Sequence, residues 1–88
     1  MHWHVELSEE AEQQLQRLPR RIQAQIERAI DALEVDPFQG DVIPLKGRQW
    51  RGRYRKRVGR YRIIFVPHHQ SRVVEISAIL IRDEKTYR

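Results

Sequence analysis

The sequence predicts an α+β fold: an N-terminal strand, a two-helix hairpin, then three antiparallel strands, forming one sheet with the helices on one face. Three observations carry this. Apolar and polar residues alternate at the start of the chain. Between residues 11 and 33 the apolar positions fall three and four apart, and from about residue 50 alternation returns. Eighty-eight residues allow a single domain, 1–88, with a small core.

The first strand is expected at His2–Leu7, where Trp3, Val5 and Leu7 alternate with His2, His4 and Glu6. Ser8 has the side chain of a helix N-cap, and Glu9 and Glu10 follow where the helix dipole favours acids. Ala11, Leu15 and Leu18 give a short amphipathic helix that stops before Pro19. Pro19 opens the second helix, whose inner face is Ile22, Ile26, Ala29, Ile30 and Leu33 and which ends at Asp36-Pro37-Phe38-Gln39-Gly40. Residues 36–49, punctuated by Pro37, Gly40, Pro44 and Gly47, read as connecting loop. A strand over Gly52–Val58, a turn at Gly59-Arg60 and a strand over Tyr61–Val66 follow. Pro67–Ser71 reads as a turn. In the last strand Val74, Ile76, Ala78 and Leu80 alternate, and its apolar character on nearly both faces predicts a central place. The polar tail from Arg82 to Arg88 is expected to form a short turn of helix.

Charge is segregated along the chain. Residues 1–41 hold nine acids and four bases, whereas residues 42–74 hold ten bases and no acid, within a net charge of +5. A block of this kind suits phosphate-bearing or acidic-protein partners. The chain lacks cysteine, so no thiolate metal site or thiol nucleophile is available, and a reducing cytoplasm is compatible with it. His2 and His4 share a strand face, but no third ligand is spaced to join them, and no metal or cofactor is expected. The N-terminus lacks a signal-peptide pattern and no segment is long enough to cross a bilayer, so a cytoplasmic location is expected.

Side chains two apart on a strand share a face, so Arg53, Arg55 and Arg57 line one side and Tyr54, Lys56 and Val58 the other. No carboxylate lies near them in sequence, and the arginines are therefore expected to look outward, away from the helices, with Arg62 added from the paired strand. Glu75 and Ser77 are expected on the same face. Solvated charge that keeps a sheet face soluble is the plainer reading, but solubility alone is served better by mixed signs. An RNA or DNA phosphate site and a docking site for an acidic peptide both fit, and the residues alone do not choose between them. Trp50 either packs beside the sheet or stacks on a base.

Leu45-Lys46-Gly47, the run Tyr54–Phe65 (YRKRVGRYRIIF) and the tail Ile81–Arg88 (IRDEKTYR) resemble the RelE branch of the RelE/ParE toxin superfamily, and the whole chain fits its order of elements. The resemblance implies the toxin of a type II toxin–antitoxin pair, a messenger-RNA endonuclease acting in the ribosomal A site and neutralised by a small antitoxin. It implies that Arg55, Arg62 and Arg82 surround the scissile phosphate and that Tyr87 stacks on a base or helps proton transfer. The other cations of the basic region, Lys46, Arg48, Arg51, Arg53, Arg57 and Arg60, are expected to bind RNA, and Leu45 to support the site. Lys56 departs from the family, where an apolar residue is common, and its stem is expected to pack while its ammonium reaches water.

Cleavage without a metal requires a base for the 2′-hydroxyl, a clamp for the phosphorane and an acid for the leaving 5′-oxygen. Arginine forks suit the clamp but not the base, because guanidinium stays protonated. Glu75, Glu84, His68, His69 and Tyr87 remain as proton-transfer candidates. Two rival readings are a ParE-like, non-enzymatic toxin that binds DNA gyrase and a degenerate module that only binds its antitoxin. The expected antitoxin is acidic and partly disordered.

Overall fold

A computed structural model describes residues 2–81. The expected α+β architecture is present. Strand β1 spans His4–Leu7, helix α1 Glu9–Gln16 and helix α2 Arg20–Val35. Strands β2 (Val42–Pro44), β3 (Tyr54–Val58), β4 (Tyr61–His68) and β5 (Val73–Ile81) follow, with a short 3-10 turn at Arg48–Trp50. The five strands form one sheet in the order β1-β5-β4-β3-β2, in which only β1 and β5 run parallel. The expected C-terminal turn of helix lies outside the described residues.

Local chemistry accounts for the helix starts. The Ser8 hydroxyl accepts the Ala11 N–H at 3.1 Å, satisfying one of the orphan donors at the start of α1. Pro19 takes the N-cap position of α2, where the N–H it lacks is not needed and its carbonyl accepts the Gln23 N–H at 2.9 Å. Gln23 fastens the joint between the helices by donating to the Leu18 and Gln16 carbonyls, at 2.8 and 3.2 Å. The helices bury Ala11, Ile26, Ala29 and Leu33 against Ile63, Phe65, Val74, Ile76 and Ile79 of the sheet and Trp3 just ahead of β1. Burying a side chain such as Phe65, which is fully enclosed, contributes about 2–3 kcal/mol.

Four expectations are corrected. The loop at 36–49 contains β2, an edge strand too short, and too close to proline, to show any alternation. The centre of the sheet belongs to β4, although β5 is flanked on both sides. The turn expected from Pro67 begins later, because β4 runs to His68. Past Phe65, where β3 pairing ends, β4 has β5 on one side only, so the missing Pro67 N–H interrupts no second ladder. Finally, the register shifts between Ile64 and Phe65, which pair with Ala78 and Ile76, leaving Ser77 as an extra residue. Alternation therefore slips: Val74, Ile76 and Ile79 are buried in the core, while Ala78 and Leu80 take the opposite face.

Helix α1 grips that irregularity. The Ser8 hydroxyl donates to the Ser77 carbonyl (3.0 Å), and the Gln14 side-chain carbonyl accepts the Ile79 N–H (2.6 Å).

Candidate nucleic-acid interface

The β3–β4 hairpin builds the basic face. Its two-residue loop places Gly59 at φ +58, a left-handed value that glycine adopts without a Cβ penalty. That tight loop sets Arg57 opposite Arg62 and Arg55 opposite Ile64. On the inner side Tyr54 and Val58 pack against the core and Lys56 is buried, as the alternation predicts. The Lys56 ammonium differs from expectation: it donates to the Gln39 carbonyl at 3.2 Å rather than reaching into water.

Arg55, Arg57 and Arg62 thus occupy neighbouring positions on the outer face. Arg57 and Arg62 are direct cross-strand partners, and Arg55 is diagonal to Arg62, at about 7–8 Å in ordinary sheet geometry. The outer side of β2 contributes Ile43, opposite Arg55.

No carboxylate lies near these arginines in sequence, but the fold brings one to them: Asp41, which precedes β2. Its Oδ1 accepts from Arg55 Nη1 at 2.9 Å, and its backbone carbonyl accepts from the same nitrogen at 3.3 Å. Its Oδ2 stands 3.9 Å from Arg57 Nη1, an ion-pair contact too long for a hydrogen bond. The Asp41 carbonyl also accepts the Arg57 N–H at 3.0 Å, which fixes the aspartate beside β3. Arg55 is consequently not a solvated group: its side chain is 11% exposed and its Nε is buried without a hydrogen-bond partner. Asp41 lies fourteen residues before Arg55, beyond the reach of any local pattern. Its one sequence signal is its place as the last acid before the basic block.

The remaining predicted residues frame this face. Arg53 places its guanidinium 6.0 Å from the centre of the Trp50 ring, and its carbonyl accepts the Leu45 N–H at 2.9 Å. Half-buried Trp50 is therefore engaged by Arg53 within the chain. Lys46, Arg48, Arg51 and Arg60 are exposed, the first three between β2 and β3 and the last in the hairpin loop. Arg82 and Tyr87 lie outside the described residues, as does Glu84.

The other proton-transfer candidates sit elsewhere. His68 lies six positions beyond Arg62 on β4, roughly 20 Å along an extended strand. There His68 Nε2 lies 3.1 Å from Glu75 Oε1. His69 stacks on Phe38, with ring centres 5.6 Å apart and planes at 7°, and meets Trp3 edge-on. His68 and Glu75 thus lie at the end of β4 and β5 away from Arg62. Glu75 shares the outer face as expected, but at its far end. Among the described residues no group of three or more metal-ligating side chains occurs, and no helix is long and apolar enough to cross a membrane.

Comparison with known proteins agrees with this architecture. Residues 5–86 match the family model described as the ParE toxin of a type II toxin–antitoxin system. A search of curated proteins finds no match. Among solved structures, the chain is similar to one from the RelBE2 toxin–antitoxin complex of Mycobacterium tuberculosis, at 26% identity and a TM-score of 0.82, covering 93% of this chain and 100% of that one. It is similar also to a chain of the archaeal RelE–RelB complex of Pyrococcus horikoshii OT3, at 29% identity and a TM-score of 0.80, covering 96% and 99%. A YoeB/ParE toxin from Agrobacterium tumefaciens shares the fold at 19% identity, with a TM-score of 0.78 over 91% of this chain and 99% of that one.

Proposed function

The chain belongs to the ParE toxin family of type II toxin–antitoxin systems, within the RelE/ParE superfamily, and from that premise we propose that it is a metal-independent, ribosome-dependent mRNA endonuclease. The observation that carries the reading is the convergence of Arg55, Arg57 and Arg62 on one face of two adjoining strands. Planar guanidinium forks in that arrangement match the oxygens of a phosphodiester. In the proposed reaction the 2′-oxygen attacks the neighbouring phosphorus, its proton leaves to a base, and the bond to the 5′-oxygen breaks as that oxygen is protonated. The arginines stabilise the extra negative charge of the phosphorane, and Arg82 and Tyr87 are proposed to complete the set. With His68, His69 and Glu75 remote, the chain is expected to cut free RNA slowly or not at all and to depend on the ribosome to orient the message.

Lys46, Arg48, Arg51, Arg53 and Arg60 are proposed to hold the flanking RNA backbone, and Leu45 to support the loop that carries them. The proposed neutralising partner is an acidic, partly disordered antitoxin that covers the basic face; two of the similar structures are themselves from toxin–antitoxin complexes. The proposed location is the cytoplasm. The parDE description of the matching family favours a second reading, a toxin that inhibits DNA gyrase without cutting RNA.

One experiment separates the two. The antitoxin-free chain is added to translating ribosomes and 3′ ends are mapped, alongside a gyrase supercoiling assay. New ends inside A-site codons are expected, with losses on the order of 10²-fold or more for Arg62→Ala and Arg55→Ala. Intact messages together with inhibited supercoiling exclude the nuclease.

A further inference from the structure

Asp41 stands where an anion is wanted. Arg57 and Arg62 face each other across adjoining strands, and like charges in that position repel unless something negative lies between or beside them. Arg55 adds a third guanidinium on the diagonal. The carboxylate directs one oxygen to Arg55, at 2.9 Å, and the other towards Arg57, at 3.9 Å. The aspartate side chain is 49% exposed, at the rim of the face, whereas the Arg55 side chain beside it is largely enclosed. The acid can therefore swing into water while the guanidinium stays. A phosphodiester carries the same single negative charge and presents paired oxygens to the same forks.

We infer that Asp41 is an internal occupant of a phosphate-binding site: it holds the anion position at Arg55 and Arg57 in the free protein and yields it to a phosphate of single-stranded RNA. The inference rests on reading this face as the RNA site. RNA displaces the carboxylate because its successive phosphates engage several cations at once, while a half-exposed ion pair resists only weakly. The aspartate thereby keeps the arginines ordered when no RNA is present.

Asp41→Asn tests this with little disturbance, since the amide oxygen still accepts from Arg55 and the backbone carbonyl bonds are untouched. Binding of a labelled, uncleavable 2′-O-methyl RNA oligomer to the full chain is measured by fluorescence anisotropy at several salt concentrations. Asp41→Asn and Asp41→Ser are expected to bind roughly threefold more tightly at low salt, with a log–log salt slope steeper by up to ~0.7. Asp31→Asn, on α2 behind the sheet, changes net charge equally and is expected to show no such gain. Unchanged or weaker binding by both Asp41 variants overturns the inference, as does an equal gain from Asp31→Asn.

Inorganic phosphate titrated into the unaltered chain gives a reading that needs no variant. Saturable NMR shifts of the Arg55 and Arg57 side-chain N–H signals are expected, and their absence is a second refutation. Arg62→Ala separates the two levels. If it loses RNA binding while Asp41→Asn gains nothing, only the role of Asp41 falls; if it binds RNA as the unaltered chain does, the RNA reading falls and takes this inference with it.

Discussion

Lys56 is the charged residue that the core of the described region admits. Its stem lies on the helix side of β3, between Val42 and Ile63 on the neighbouring strands, and its ammonium ends against the Gln39 carbonyl. Gly40 makes room for it, since a Cβ there would lie 3.3 Å from the nitrogen in a backbone already at φ +88. Packing by the stem matters more than the charge. Lys56→Met keeps the volume, removes a poorly solvated cation and leaves a loop carbonyl that water can reach. Its stability is expected within about 1 kcal/mol of the unaltered chain, whereas Lys56→Ala costs about 2 kcal/mol or more. Urea unfolding of the two variants checks this, and a Met variant as damaged as the Ala variant contradicts it. Period-two alternation is enough to assign Lys56 and Arg55 to opposite faces. The partners that determine their surroundings, Gln39 and Asp41, come from a loop whose path no periodicity encodes.

At the scale of elements, the sequence is most readable where one residue type answers one local need. Ser8 is an example, because an unsatisfied N–H at the start of α1 requires an acceptor just ahead of it. The same hydroxyl also donates to the Ser77 carbonyl, a contact between residues 69 apart that no sequence rule anticipates. Ser8→Ala loses both bonds. It is expected to cost about 1–2 kcal/mol, measured by thermal or urea unfolding, and to speed hydrogen exchange in α1; a loss below a few tenths of a kcal/mol contradicts this. Strand β2 and the slip at Ser77 were illegible for related reasons. Three residues ending in proline offer no period to detect. A bulge, in turn, leaves its strand apolar throughout and alters only which apolar side chains face inward.

At the scale of the whole described molecule, the α1 acids and the hairpin arginines sit on opposite sides of the sheet. Salt should therefore act in two directions on one protein. Raising sodium chloride from about 0.05 to about 0.5 M screens repulsion within the basic face and is expected to raise the unfolding temperature of the free chain. Over the same range RNA affinity should fall steeply, by roughly 0.7 in log K per log unit of salt for each phosphate contacted. Calorimetry and anisotropy on one preparation test the pair of trends, and affinity indifferent to salt contradicts the RNA site. The overall charge pattern was plain in the sequence, but the two-sidedness that makes it a surface needed the sheet.

The pairing of β1 with β5 carries a consequence in time. Synthesis makes β1 well before β5, the strand that receives it, so β1 waits through both helices and three further strands before it finds its neighbour. A nascent copy that has reached only β4 holds both helices yet lacks the strand through which β1 joins the sheet, so the architecture closes late and all at once.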